Sequence, residues 1–485
     1  MTSEATPRTD TRSGGKTAGG DGPSWGALVV VMVGTFMTVL DYFIANVAIP
    51  AIQSDLEASA AQAQLVIVGY GVAFTAGLIT GGRIGDLFGR RRMFALGLLL
   101  FAVASAACGL APNADLLVVA RVVQGAAASL MVPQVLGIIG TVYTGPSRAA
   151  AFNVYGMVVG LAGVFGQVIG GVLITVDIGG LDWRSIFLIN VPVSLVAFLF
   201  VFRTVPESRN ADGTRLDLPG AVLVTAALAL LVTALVEGRE QGWPAWSWVS
   251  LLLAVVLSVA AVSHLRKRER EGRGPLISLA LFRSRVFSVG LAATVTYFLA
   301  MGSFFFLLAL YLQQGRGLSP LESGLLFLAL GAGYFGSSLM SGRLAGRLGR
   351  SLVVSGPLTL AAGYVLTGVA VTLNGTDGSI LWLVPSLLIA GMGMGMTTGP
   401  LTGLVLSGSA PEHAASSSGA VNTAQEGGAA IGVAVAGTVF FPALGGAAVA
   451  ADYPHAFTLS LIPLVVFCCA AAFMIRMIPA AADAD

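Results

Sequence analysis

The sequence predicts an all-α polytopic membrane protein: fourteen transmembrane helices, arranged as two six-helix bundles with two further helices inserted between them. Three observations carry this expectation. The 485-residue chain is 56% hydrophobic and only 10% charged, with a mean hydropathy of +0.86, whereas a soluble domain carries about 25% charged residues. Its Lys and Arg residues fall almost entirely on alternate turns. A glycine–arginine turn also recurs in the second half of the chain. At roughly 20 apolar residues per span the composition limits the count to about thirteen or fourteen helices. A β-barrel, whose strands alternate and keep a polar interior, is excluded.

In chain order, residues 1–24 are rich in Thr, Ser, Gly and Arg, lack an apolar cleavable core, and are expected to form a disordered tail rather than a signal peptide. Apolar runs bounded by Gly, Pro and charge then place helices near 26–50, 63–82, 93–111, 115–142, 149–175, 185–204, 217–236 and 246–265. Six more follow near 286–312, 320–341, 351–373, 380–406, 416–441 and 455–478. Sidedness follows from Lys and Arg placement. With the N-terminus inside, 22 of the 26 basic residues lie on the cytoplasmic side and only Arg184, Arg239 and Arg316 lie outside, while Arg121 falls within a helix. Both termini are then cytoplasmic, as an even number of helices requires.

The turn Gly82-Arg83-Ile84-Gly85-Asp86-Leu87-Phe88-Gly89-Arg90 recurs after the tenth helix as Gly342-Arg343-Leu344-Ala345-Gly346-Arg347-Leu348-Gly349-Arg350. Helix ten therefore holds in a second half the place that helix two holds in the first. The expected organisation is a tail at 1–24, an N-terminal bundle over 25–210, two inserted helices over 211–270, a C-terminal bundle over 271–479 and a tail at 480–485. Parallel halves of this kind place a substrate path at their interface.

Several motifs fall in order along these helices. Gly82 to Arg91 is similar to the G-x-L-a-D-r-x-G-r-r signature of the major facilitator superfamily, with Leu87 where a basic residue is common. The first helix carries Leu40-Asp41 followed by Asn46-Val47-Ala48-Ile49-Pro50, resembling the l-D-x-T-v-v-N-v-A-l-P pattern of the fourteen-helix drug:proton antiporter branch, with Phe43 replacing threonine. Arg121, Gln124 and Gly125 match R-x-x-q-G. Gly166, Gly170 and Gly171 have the spacing of the antiporter motif G-P-x-x-G-G, with Gln167 in place of proline. Trp183-Arg184 before Phe187-Leu188-Ile189-Asn190-Val191-Pro192, and Pro206-Glu207-Ser208-Arg209, also resemble this branch. The resemblance covers nearly the whole chain. It implies the major facilitator fold and proton-driven multidrug efflux.

Ionisable groups within hydrocarbon are costly and by default mark function. Asp41 lies roughly 22 Å from the inner edge of an outward-running helix, and Arg121 roughly 10 Å below the outer edge of an inward-running one. In a core about 30 Å thick these depths nearly coincide, so the two are expected to face each other, with protonation of Asp41 releasing the pair. The alternative is a fixed structural ion pair. Glu426 falls near the midplane of helix thirteen, one turn from Asn422. Burial without a cation disfavours its ionised form, which suits a proton carrier or a counter-charge for a cationic substrate. The alternative is a polar residue hydrogen-bonded to neighbouring helices. The proton-coupling candidates are therefore Asp41, Arg121 and Glu426, and the substrate-cavity candidates are Asn46, Gln124, Asn190, Asn422 and Gln425.

Gly82, Asp86, Gly89, Arg90 and Arg91 are candidates for a cytoplasmic gate. There Asp86 is expected to meet a helix N-terminus or an arginine of a neighbouring helix, forming a latch. Gly156, Gly160, Gly163, Gly166 and Gly170 give helix five a smooth face, expected to pack against the other bundle. Gly391, Gly393 and Gly395, alternating with methionines, suggest an adaptable wall, with core packing the plainer reading. Pro133, Pro192, Pro385 and Pro400 are expected to break or kink helices.

Other chemistry is not indicated. The histidines His264, His413 and His455 have no metal spacing, and Cys108, Cys468 and Cys469 lie in apolar runs. No phosphate-binding G-x-x-x-x-G-K is present, so an ATP-driven pump needs a partner chain. No convergent nucleophile and base suggest an enzyme, and nothing suggests nucleic acid. The basic loop 266–285 is placed to touch anionic lipid. Arginine's near exclusion of lysine hints at a GC-rich bacterial source. The expected function is export of amphipathic small molecules, drugs or antibiotics across a bacterial plasma membrane by a monomer. It is driven by the proton gradient without a cofactor, in exchange for protons and by alternating access. The rivals are a dedicated exporter of one native metabolite, peptide or lipid precursor, and a non-transporting membrane scaffold.

Overall fold

The computed structural model describes residues 25–209, 217–273, 275–409, 414–445 and 450–478. The expected tails at 1–24 and 480–485 lie outside them, as do His413 and the side chain of Asn46. Among the described residues all regular structure is helical. The principal helices are α1 (Trp25–Asp55), α2 (Ala60–Phe88), α3 (Arg90–Gly109), α4 (Ala114–Val142), α5 (Gly145–Val176), α6 (Asn190–Thr204), α7 (Leu218–Glu240) and α8 (Ala245–Arg270). The second series is α9 (Arg285–Leu310), α10 (Pro320–Leu348), α11 (Arg350–Asn374), α12 (Leu383–Ser407), α13 (Ala414–Leu444) and α14 (Tyr453–Met477). Short helical turns at Asp182–Arg184 and Ser185–Leu188 lead into α6 and extend that span.

Thirteen of these elements are long and apolar enough to cross a membrane. The fourteenth is α5, whose segments Gly145–Gly163 and Val168–Val176 meet at a 45° bend. Gly166 lies in the bend, where a helix lacking a side chain yields most easily. A Cβ there would come within 2.8 Å of the Phe43 Cβ and 3.2 Å of the Leu40 carbonyl.

Local sequence sets the helix ends. Ser59 and Gln62 form a reciprocal capping box at the start of α2, with Gln62 N donating to Ser59 Oγ (3.2 Å) and Ser59 N to Gln62 Oε1 (3.0 Å). Ser319 and Glu322 repeat it at α10, at the offset that separates the two glycine–arginine turns. Gly89 and Gly349, also equivalent, both take positive φ (+102° and +50°), which a residue with a Cβ adopts reluctantly. Pro133 and Pro400 lie inside α4 and α12, each of which runs on through its proline without a break. Pro192 and Pro385 do not kink anything: each sits in the first turn of its helix, where the missing N–H has no intrahelical partner to lose.

The packing repeats with the sequence. In the first half α4 packs against α2 and α3, α1 against α5, and α6 against α1 and α3. Adding eight to each label gives the second half: α12 packs against α10 and α11, α9 against α13, and α14 against α9 and α11. The halves then meet through a reciprocal set, α5 with α10 and α12, and α13 with α2 and α4. The inserted helices α7 and α8 pair with each other, and α7 lies against both α2 and α13. The glycines of α12 serve core packing, whereas of the methionines between them Met392 is exposed. Gly393 lies against Leu360 of α11, and Gly391 and Gly395 against the α10 backbone at Leu330 and Tyr334, while Met394 is fully buried.

The halves touch most closely at the arginine-rich face, toward which the turns after α2, α4 and α6 point. A Cβ on Gly156 of α5 would lie 2.7 Å from the backbone N of Gly399 in α12, and one on Gly419 of α13 would lie 2.7 Å from the Leu78 carbonyl of α2. Backbones this close need small residues on both sides. The conformation is therefore closed at that face.

Candidate functional site

The deepest polar cluster is built from five segments of the N-terminal bundle. Asp41 of α1 and Arg121 of α4 are fully buried and form an ion pair between Asp41 Oδ2 and Arg121 Nη1. Asp41 Oδ1 also accepts from Gln124 Nε2 (2.9 Å) and Asn190 Nδ2 (2.7 Å). Arg121 donates through Nε to the Val66 carbonyl of α2 (2.9 Å) and through Nη1 to Gln124 Oε1 (2.7 Å). Gln124 Nε2 reaches Ser105 Oγ of α3 at 2.8 Å. Arg121 Nη2 has no hydrogen-bond partner among the described residues. The guanidinium instead stacks 4.3 Å from the Tyr70 ring centroid and 5.4 Å from that of Phe187. A buried charge pair is tolerated only where its remaining donors and acceptors are also satisfied, and here nearly all are.

The matched depths of Asp41 and Arg121 thus correspond to a contact. Two residues expected along the substrate cavity, Gln124 and Asn190, are instead enclosed in this network with their polar atoms directed at Asp41. Intramembrane polar groups satisfy one another before they face an open space, and both amides bond to the buried carboxylate.

Glu426 lies elsewhere. It is on α13 at the seam between the bundles, where its neighbour Asn422 accepts from Tyr155 Oη of α5 (3.2 Å), a bond that crosses from one half to the other. Glu426 is partly buried, and among the described residues its carboxylate has no basic partner. It is close enough to interact electrostatically with the tyrosines Tyr42, Tyr70 and Tyr155. Tyr70 is within the same reach of Asp41 and Arg121, and Tyr42 of Arg121, so both rings lie within reach of the enclosed pair and of the seam acid. Gln425 turns away and donates to Thr402 Oγ1 of α12 at 3.1 Å. An aromatic series, Tyr42, Phe43, Phe305 and Phe327, crosses the seam with centroid separations of 5.3, 6.3 and 5.7 Å. The sequence reading passed over Tyr70, Tyr155 and Ser105, because a lone hydroxyl in an apolar run looks like core packing.

The glycine face of α5 divides between two partners. Gly156 and Gly160 meet Gly399 and Tyr334 of the other bundle, but Gly163 and Gly166 meet Phe43 and Leu40 of α1, next to Asp41. The reason is the bend: past Gly163 the helix turns from the seam onto its own bundle. Gly170 is buried and Gly171 half-buried further along.

At the arginine-rich face Asp86, near the end of α2, pairs with Arg90 at the N-terminus of α3 (2.6 Å), an i,i+4 contact across the Gly89 turn, so the acid meets an arginine at the start of the next helix as expected. The segment after α6 adds an acid of its own. Glu207 Oε1 accepts from Arg91 N (3.1 Å), and the Glu207 carboxylate lies 3.7 Å from Arg91 Nε and 3.5 Å from Arg92 Nε. Arg90 N donates to the Ser208 carbonyl (2.9 Å). Gly89 leaves room for this strand of chain, since a Cβ there would sit 2.7 Å from Glu207 Oε1. Gly82 follows Gly81, whose carbonyl accepts from Gln134 Nε2 of α4 (2.8 Å).

A pair of pseudo-repeated six-helix bundles meeting at a polar seam, each with a glycine–arginine turn between its second and third helices, is the architecture of a membrane transporter built from two related halves. The chain belongs to the Major Facilitator Superfamily, whose pattern matches residues 31–433. It is 38% identical over 434 residues to a probable actinorhodin transporter of Streptomyces coelicolor, covering 88% of this chain and 74% of that one. It is 35% identical to puromycin resistance protein pur8 of Streptomyces alboniger (87% and 82% covered), and 34% identical to a tetracenomycin C resistance and export protein of Streptomyces glaucescens (87% and 77%). Among solved structures it superposes on the human organic anion transporter MFSD10 with a TM-score of 0.65 at 16% identity, covering 94% of this chain and all of that one. The proton:xylose symporter XylE gives 0.65 at 15% identity, with 94% and 96% covered. The protein is a multi-pass membrane transporter whose relatives are antibiotic and multidrug exporters.

Proposed function

We propose that this protein exports amphipathic small molecules from the bacterial cytoplasm across the plasma membrane, in exchange for protons, by alternating access between its two bundles. The observation that carries the reading is Glu426: an intramembrane acid at the seam, without a basic partner among the described residues and within electrostatic reach of Tyr42, Tyr70 and Tyr155. Such a carboxyl group exchanges protons with the seam and, when ionised, offers a counter-charge to a cationic substrate. Asp41, already held by Arg121, Gln124 and Asn190, acts as the fixed end of the coupling, with Tyr70 transmitting charge changes at Glu426 to the pair. The aromatic series from Tyr42 to Phe327 forms an apolar wall for a substrate ring system. Each proton entering down about 100 mV supplies roughly 2.3 kcal/mol, so the gradient is the energy source and no cofactor is needed. Both termini face the cytoplasm, the positively charged side, and the monomer is the working unit.

A second reading differs only in breadth. Several relatives are named for single compounds, actinorhodin, puromycin and tetracenomycin C, which favours a dedicated exporter of one native product with the same mechanism. Reconstitution in liposomes with a pH-sensitive dye tests both. Candidate compounds elicit proton movement in the unmodified protein, and Glu426→Gln abolishes it. Proton movement that no compound elicits, or that Glu426→Gln retains in full, refutes the proposal. The number of compounds that elicit it separates the two breadths.

A further inference from the structure

The inserted helices are fastened by a buried acid that the transport reading does not use. Asp217, immediately before α7, is buried, and its carboxylate is the meeting point of several elements. His264 Nε2 of α8 lies 2.8 Å from Oδ1, and Arg268 Nε of α8 lies 3.4 Å from Oδ2. The backbone N–H of Leu276, in the segment that leads into α9 and the C-terminal bundle, donates to Oδ2 at 3.3 Å. Gly220 N donates to Oδ1 at 3.1 Å, so the same carboxylate caps α7. Arg83, in the conspicuous turn of α2, is buried within electrostatic reach of Asp217, Asp86 and Arg268. One carboxylate thus collects the N-terminal bundle through Arg83, the inserted hairpin through α8, and the chain entering the C-terminal bundle through Leu276.

The place of this cluster matters as much as its bonds. Helix α7 packs against α2 and α13, and Thr80 of α2 is 3.1 Å from Thr225 of α7, hydroxyl to hydroxyl. Contact between α2 and α13, at Leu78 and Gly419, is one of the two seams closed at the arginine-rich face. The hairpin therefore lies along that seam with its anchor at the face where the seam opens. If α2 and α13 part, the anchor cannot keep both Arg83 and Leu276. An apolar residue would hold two helices together without the desolvation cost of a buried carboxylate. A charge at this point instead favours one arrangement of the surrounding arginines over another.

We infer that Asp217 is a positioning residue that latches the inserted hairpin across the seam between α2 and α13 and stabilises the state closed at the arginine-rich face. This rests on alternating access. The test uses the full chain carrying Asn153→Cys, whose thiol replaces a buried side chain on a residue whose backbone lies against Gly399 at the closed seam. The rate of N-ethylmaleimide labelling per folded molecule is measured in membranes, with the chain bearing only its three native cysteines as background. Adding Asp217→Asn raises the rate by about threefold or more, the size of effect seen for members of a two-state network, while Asp217→Glu stays near the parent. Labelling of Asp217→Asn at or below the parental rate overturns the latch. If Asp217→Asn fails to accumulate, Arg83→Gln is read the same way: faster labelling supports the latch, and the parental rate overturns it. A parent whose labelling responds to an imposed proton gradient, alongside variants that label at its rate, sinks the latch alone. A parent that labels identically under every condition sinks alternating access and the latch with it.

Discussion

The sharpest prediction concerns the Asp41–Arg121 pair, through a double-mutant cycle. In Asp41→Asn the amide oxygen still accepts from Gln124 and Asn190, as Oδ1 does now. What disappears is the charge-assisted bond to Arg121, and the new amide group points its N–H at a guanidinium left charged and fully buried. Removing one partner of a buried pair costs about 3–5 kcal/mol, and the surviving bonds put this variant near the lower end. Arg121→Met leaves the carboxylate with two neutral donors, unpairs the Val66 carbonyl and removes the stacking on Tyr70, which puts it near the upper end. With both substitutions no charge remains, so the two costs do not add, and a coupling of about 2–3 kcal/mol is expected for groups in direct contact. Unfolding by sodium dodecyl sulfate in mixed micelles gives the three free energies. Costs that sum to within about 0.5 kcal/mol, or an Asp41→Asn cost below about 1 kcal/mol, refute the claim that the pair is an interlocked part of the bundle.

Three further outcomes follow. Glu426→Gln abolishes export of cationic compounds and its dependence on the proton gradient while leaving the protein folded; retained pH-driven export of a cation removes Glu426 from the mechanism. Gly399→Leu forces a branched side chain between α5 and α12 where the Phe152 and Asn153 backbone already lies against it, so transport falls by at least about tenfold in protein that still reaches the membrane, the overpacking costing roughly 1–3 kcal/mol. Normal transport by that variant argues that this contact is dispensable. At the opposite face Asp55 accepts from Arg184 and from Trp183 Nε1 (3.0 Å), which hold its carboxyl below the ordinary carboxylate range. A lowered native value contributes stability that is complete above the unfolded value, about 3.9, and is lost as pH falls through the native one. The melting difference between the unmodified protein and Asp55→Asn is therefore constant near neutrality and shrinks on acidification below that range; a difference that grows on acidification contradicts the assignment.

Much of this was legible in the residues because a membrane leaves few choices. Apolar runs of a fixed length must be helices, and arginine placement marks one face. A deep acid and a deep base at matched depth have little else to meet, which is why Asp41 and Arg121 were paired correctly from helix arithmetic. Direction around a helix is harder to read. Gln124 and Asn190 were expected to line a cavity, yet a rotation of less than one turn separates that wall from the interior of the bundle, and the enclosed acid claimed both. Asp86 was expected to meet a helix N-terminus or a neighbouring arginine, and it meets Arg90 at the start of α3.

The sequence by itself determined the helices, their alternation across the membrane and the duplication that makes α9 to α14 a second copy of α1 to α6. Those are consequences of length, composition and spacing, which are local. Only the tertiary structure decided that α5 bends between Gly163 and Val168 and so serves both the seam and the face of α1 beside Asp41, and that Tyr70 lies within reach of both the pair and Glu426. It also decided that Asp217, unremarkable between two helices in the sequence, gathers His264, Arg268 and Leu276 beside Arg83. Each depends on contacts between residues dozens to hundreds of positions apart. Packing geometry sets those contacts, and no periodicity along the chain records it.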